Sequence, residues 1–226
     1  MEDGKVMKIN IIYEDNHLLI VEKPINVIVQ EDNTKDKDLL TILKEYIKEK
    51  YNKPGNVYLG LVHRLDRPVG GIMVFARTSK SASRLSEQIR NKTFKKTYNA
   101  VVIGNINEKG TLKDKLLKNE KTNIVTVSDK GKEAILHYKK IDYKDNMSLV
   151  EINLETGRPH QIRVQFSNYG YPLYGDNKYN KKAKSNEQIA LFAKKIEFVH
   201  PTTKENMSFE LDLPNRYPFN LFKNWK

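Results

Sequence analysis

The chain of 226 residues has no cysteine, which removes disulfides, thiolate nucleophiles, iron–sulfur clusters and cysteine-ligated zinc together. No apolar run approaches the roughly 20 residues a membrane-spanning helix needs. The opening, MEDGKVMKINIIYED, lacks a signal peptide's basic start and its apolar stretch of about 7–15 residues. A cytoplasmic chain is the expectation. Arginine is also scarce: eight of the 40 basic residues are Arg and the rest Lys, and 22 residues are Asn. Twelve more basic than acidic residues make a polyanion the first class of partner to consider. The same Lys and Asn excess arises equally from an AT-rich genome, with the lysines spread over a solvated surface. Charge alone does not choose between the two.

What is present is an alternation of strand-like and helix-like periods without repeats or a low-complexity linker. Ile9 to Tyr13 and Leu18 to Lys23 predict two strands around the polar turn Glu14-Asp15-Asn16, and Pro24 ends the second. Asp38 predicts an N-cap for a helix to about Tyr51, with Leu39, Leu43, Tyr46 and Ile47 as its apolar stripe. Strands are predicted at 58–62, 71–77, 97–103, 133–141, 148–154, 188–199 and 207–213. A helix is predicted from Ser79 to Lys92 with Ala82, Leu85 and Ile89 on one face. A shorter one opens at Pro159, turns Ile162, Phe166 and Tyr169 to the core, and is closed by Gly170 in a left-handed cap. Many strands with few helices predict an α+β fold, here one domain over residues 1–226.

Three segments carry chemistry. In His63-Arg64-Leu65-Asp66-Arg67-Pro68, Asp66 follows an apolar strand and stands between two arginines, which favour an ionised carboxylate. Such a group is either an ion-paired loop aspartate or a nucleophile or base. Gly70-Gly71 then permits left-handed turn geometry or a close backbone approach. In Thr156-Gly157-Arg158-Pro159, a strand turns into a helix on which His160 and Arg163 share a face. That pair suits an anionic partner or is simply a solvated face, and His160 has no second ligand at metal spacing. In Lys95-Lys96-Thr97-Tyr98, alternation puts Tyr98 with Ala100 and Val102, for core packing or for stacking on a base.

Taken in order, these blocks resemble the RluA-type family of RNA pseudouridine synthases. The family's hallmark reads His-Arg-Leu-Asp, two variable residues, Thr-Ser-Gly, then an apolar strand. Residues 63–66 and Gly71 match it, and Val69-Gly70 replace Thr-Ser. Lys96-Thr97-Tyr98 match the Lys-x-Tyr strand, and residues 156–163 match Thr-Gly-Arg-x-His-Gln-Ile-Arg. Gln165 stands where the family usually has His, Gly175-Asp176 match a further small block, and IIYEDNHLLIVEKP is similar to the first strand pair. The resemblance spans about Ile9 to Leu213, without the S4-type RNA-binding module many members carry.

The resemblance implies a mixed, mostly antiparallel sheet flanked by helices and loops, with the active site in a central cleft. It implies isomerisation of uridine to pseudouridine in ribosomal or transfer RNA by a monomer that needs no metal, nucleotide or redox cofactor. Asp66 maps to the catalytic nucleophile, Tyr98 to the base-stacking tyrosine and Arg163 to the arginine that keeps the carboxylate charged. Arg64 maps to the group that helps displace the target base, and His63, Arg158, His160 and Lys96 to further substrate-binding positions. A catalytically inactive RNA-binding protein on the same fold is the alternative. A glycosidase would need a second carboxylate at working separation, and none is identified. The stretch from Lys178 to Lys184 is either an RNA-contacting loop or a solvated insertion.

Overall fold

The computed structural model describes residues 9–222 apart from 33 and 35. The N-terminal segment read for a leader therefore lies largely outside the described residues. The chain forms two compact units, one built from residues up to Phe94 with Ile196–Phe209, the other from Lys95–Lys195 with the residues from Glu210 onward.

The first unit opens with β1 (Asn10–Glu14) and β2 (Leu18–Lys23), continues through α1 (Leu39–Lys50), β3 (Gly60–Leu61) and β4 (Gly70–Ala76), and reaches α2 (Ser79–Arg90). β2 pairs antiparallel with β1 and, in register from Leu18↔Ala76 to Lys23↔Gly71, with β4. Leu18 to Val21 and Ile72 to Ala76 are fully buried, so both strands read as continuous apolar runs rather than alternating ones. Asp38 caps α1 as its sequence position predicts, its carboxylate accepting from the Thr41 N–H at 3.1 Å. The freed N–H groups of Leu39 and Leu40 donate to the carbonyls of Ile28 and Val29, which ties the segment after Pro24 to the helix. The strand expected over 58–62 shrinks to Gly60 and Leu61. The half-exposed Tyr58 folds back so that its hydroxyl lies 2.8 Å from where a Cβ on Gly60 would stand.

The second unit runs through β5 (Lys95–Ile103), β6 (Lys109–Asn119), β7 (Ile124–Val127), β8 (Lys132–Lys144), β9 (Met147–Leu154), α3 (Gln161–Asn168) and into β10 (Leu191–Val199), which passes out of it after Lys195. β11 (Asn206–Glu210) pairs with β10, and a 3₁₀ turn at Phe219–Phe222 follows. Within this unit β5, β9, β8, β6 and β7 pair antiparallel in that spatial order. One buried cluster joins Val101, Met147, Leu149, Ala190, Phe192, Phe219 and Phe222; a second joins Leu116, Val125, Ala134 and Val164 beneath α3. The α+β class expected from the sequence is the observed one, with three α-helices among the described residues. None of them is long and apolar enough to cross a membrane.

Candidate active site

In the first unit the loop from β3 to β4 presents Asp66. Leu65 and Val69 are buried on either side of it, and the Val69 N–H closes a turn onto the Asp66 carbonyl at 3.0 Å. His63 accepts the Val74 N–H on Nε2 at 3.2 Å and lays its ring 5.8 Å from that of Phe94, so its side chain ties the loop to β4. Gly71 has φ 126°, a backbone conformation that favours glycine. A Cβ on Gly70 would come within 3.2 Å of the Lys23 carbonyl. The replacement of Thr-Ser by Val69-Gly70 is thereby absorbed in packing.

The organising cation of this loop was not singled out from the sequence. Lys23, at the end of β2, is fully buried, and its Nζ donates to the carbonyls of Pro24 at 2.9 Å, Arg67 at 3.0 Å and Val69 at 2.7 Å. Three acceptors use the three donors of an ammonium. Burial pushes its pKa down to about 7, the Asp66 carboxylate pulling it back up and Arg67 pushing it further down. Arg67 is ion-paired with Asp36, and exposed Arg64 reaches Gln30 at 3.4 Å. Lys23 is the buried cation set against Asp66, and in the sequence Lys23-Pro24 carried only a strand-end signal.

The second unit holds the other matched blocks. Tyr98 is buried on β5, on the same face as Ala100 and Val102 as alternation requires. Lys96 shares that face two residues earlier, and burial lowers its pKa. Thr156 and Gln161 knit the strand-to-helix turn together. The Thr156 hydroxyl accepts the Ile135 N–H and donates to Gln161 Oε1, which also accepts the Arg158 N–H. Arg158 Nε donates to the Glu133 carbonyl at 2.8 Å. Gln165, at the family's usual histidine position, donates to Asp114 and to the Ala134 carbonyl and so holds α3 on the sheet.

Two expectations for α3 are corrected. It opens at Gln161 rather than Pro159, because His160 adopts the left-handed conformation, φ 50°, and stands as the N-cap. Tyr169 is exposed at the C-cap rather than in the core, where Ile162 and Phe166 suffice; Gly170 closes the helix at φ 84° as expected. His160 and Arg163 nevertheless converge on one side chain, Tyr179. The His160 Nδ1 lies 2.6 Å from its hydroxyl, and the Arg163 guanidinium lies over its ring, 5.2 Å from the centroid.

Arg163 is nearly fully buried and donates from Nε at 2.9 Å and Nη2 at 2.7 Å to the two oxygens of buried Asp176. Asp176 also accepts the N–H groups of Lys178 and Tyr179, so it orients Arg163 and starts the lysine-rich stretch with one carboxylate. The Gly175-Asp176 pair was visible in the sequence as a block but not as the arginine's partner. Its glycine has φ 67°, and a Cβ there would meet the Gln188 carbonyl at 2.5 Å. Gly175→Ala is expected to cost about 2–4 kcal/mol of stability through the backbone shift it forces, read as a lower urea midpoint.

The stretch from Lys178 to Lys184 is anchored where it begins. Lys178 Nζ donates to the Asn123 carbonyl at 2.6 Å, and buried Asn180 donates to the Leu173 carbonyl at 3.1 Å. Among the described residues no group of three or more His, Asp or Glu side chains is placed to ligate a metal.

Residues 17–168 match the family of RNA pseudouridylate synthases, a span that enters both units. Over 211 residues, 92% of this chain and 69% of the relative, it is 35% identical to the "Uncharacterized RNA pseudouridine synthase YhcT" of Bacillus subtilis. It is 32% identical over 220 residues to the ribosomal large subunit pseudouridine synthase D of Zymomonas mobilis, covering 91% of this chain and 69% of that one. Among solved structures, human RNA pseudouridylate synthase domain containing 4 superposes with a TM-score of 0.79 over 95% of this chain and 92% of that one, at 20% identity. Human RNA pseudouridylate synthase domain containing 1 gives 0.76 over 97% and 89%, at 22% identity. At those identities the likeness speaks for the fold.

Proposed function

Because the chain belongs to the RNA pseudouridylate synthase family, of the RluA type, and is an RNA pseudouridine synthase, we propose that it isomerises a uridine of structured RNA, ribosomal or transfer, with Asp66 as its nucleophile. The target nucleotide leaves its stack, and the Arg64 guanidinium, exposed on the loop that carries Asp66, fills the gap. Asp66 attacks the flipped nucleotide or assists departure of its base. In either case the bond from N1 to C1′ breaks, the uracil turns, and a bond from C5 to C1′ forms. The proton on C5 leaves and N1 gains one, so the product is an isomer and the lost C5 hydrogen reports each turnover. Tyr98 offers its ring face to the uracil and its hydroxyl to removal of the C5 proton. Arg163 keeps the nucleophile ionised, and Lys96, His160 and Arg158 serve binding of the RNA, while His63 serves through the loop it fastens.

The observation that carries this reading is the construction of the Asp66 turn. A fully buried ammonium spends two of its three donors on the backbone that follows one carboxylate, an outlay that an ordinary surface aspartate does not require. The inactive-binder alternative drew on Val69-Gly70, and packing accounts for both residues without loss of the carboxylate.

The test is release of tritium from bulk unmodified RNA labelled with [5-³H]uridine, followed by pseudouridine mapping of total RNA with and without the gene. Release, and loss of one or a few mapped sites in ribosomal or transfer RNA, is expected. Binding without release from either RNA class would leave the inactive binder. Tyr98→Phe keeps the ring face and loses the hydroxyl, so kcat is expected to fall roughly tenfold or more with KM changed less than about twofold. Unchanged kcat would leave Tyr98 a stacking role alone.

A further inference from the structure

We propose that Tyr179 is a positioning residue for Arg163, holding the face of the guanidinium whose edge Asp176 holds. The inference rests on the reading that Arg163 serves turnover. Asp176 takes Nε and Nη2, a bidentate contact along one edge. The Tyr179 ring lies over the guanidinium, its centroid 5.2 Å from Cζ, and resists tilting of the plane out of that edge contact.

Tyr179 is fixed by its backbone and hydroxyl as well as by its ring. Its N–H donates to the Asp176 carboxylate at 3.3 Å, and its carbonyl accepts the Ser167 hydroxyl of α3 at 2.7 Å. Its own hydroxyl oxygen accepts the Val125 N–H of β7 at 3.0 Å, and its ring packs against the Leu116, Val125, Ala134 and Val164 cluster. The hydroxyl proton is then available to His160 Nδ1, 2.6 Å away, which steadies a residue held in the left-handed conformation at the mouth of α3. One side chain, lying inside the lysine-rich stretch, thus holds His160 and Arg163, the two charged-block residues that flank the start of the helix.

The experiment compares the wild-type chain with Tyr179→Leu, Tyr179→Phe, Arg163→Lys and the double variant Arg163→Lys/Tyr179→Leu. Tritium release gives kcat and KM, and urea melts give stability. Leu at 179 removes the ring face, so kcat is expected to fall roughly tenfold with KM within about twofold. Phe restores the face and should bring kcat back to within about threefold of wild type. The double variant should be no slower than Arg163→Lys alone, because the ring acts through the guanidinium. Losses that multiply, a change confined to KM, or equal losses in the Leu and Phe variants would each overturn the proposal. Should the Leu variant not fold, Tyr179→Met takes its place, filling the gap without a ring face. Wild-type turnover by Arg163→Lys would refute the role of Arg163 itself. The positioning is then decided by ¹⁵N relaxation at Arg163 Nε: added mobility in the Leu variant supports it, and unchanged mobility overturns it.

Discussion

Asp66→Asn is expected to lower tritium release by about 10³-fold or more, with RNA affinity at fixed salt within about twofold of wild type. Asn has the shape of Asp and lacks the charge and the nucleophilic oxygen. The turn that presents residue 66 is made by backbone atoms, the Val69 N–H on the Asp66 carbonyl and Lys23 on the carbonyls of Arg67 and Val69. These backbone contacts do not use the carboxylate and persist in the Asn variant. Affinity rests mainly on the sequence-independent attraction of a chain with twelve surplus positive charges for phosphates, which one neutralised carboxylate scarcely changes. Filter binding at two salt concentrations and single-turnover tritium release measure the two quantities separately. Full turnover by the Asn variant would refute the nucleophile.

Lys23→Met is expected to cost about 3 kcal/mol or more of stability. Methionine fills nearly the same volume without donors. The carbonyls of Pro24, Arg67 and Val69 then face a buried site with no donor from residue 23, each losing a bond of 2.7–3.0 Å. Relief from burying an ammonium offsets part of this, since desolvation already pushes Lys23 down to about 7. A domain with roughly 5–15 kcal/mol in all loses a large share of it. Because two of the three carbonyls belong to the turn that follows Asp66, kcat should also fall by roughly tenfold or more at temperatures where the variant remains folded. Lys23→Arg is not expected to rescue, since a fully buried position has no space for a guanidinium. A urea midpoint indistinguishable from wild type would show that the three carbonyls find other donors, and the role assigned to Lys23 would fall.

Much of the fold was legible because it is written in local signals. The apolar runs at 18–23 and 71–77 are strands almost at the expected bounds, and Asp38 caps the helix that its position before Leu39 predicted. β6 and β7 were missed for a reason in their composition. β6 turns only Leu112 and Leu116 fully inward, four residues apart within a lysine-rich run, so it shows neither a clean strand period nor a helix stripe. It is a strand because β8 pairs with it from Lys109↔Lys139 to Leu116↔Lys132. The opening of α3 was misplaced because Pro159 is a good first helical residue, whereas the left-handed turn at His160 is held by a hydroxyl 19 positions away.

The sequence by itself determined which side chains fill the positions matched to the family's motifs: Asp66, Tyr98, Arg163 and the basic and imidazole residues around them, within blocks whose order names the family. It also determined the elements whose periods and caps are local. Only the tertiary structure decided what holds those side chains in place. Lys23 grips carbonyls 44 and 46 positions along the chain, and the Tyr179 hydroxyl takes an N–H 54 positions away. Asp176 faces Arg163 across 13. A hydrogen bond between residues so far apart leaves no period in the sequence, and whether a lysine is solvated or buried against three carbonyls depends on where the chain returns. In the sequence the arginines at the matched blocks read as specific and the many lysines as general attraction. Lys23 is the exception that folding alone revealed, a lysine withdrawn from the surface to build the turn that carries Asp66.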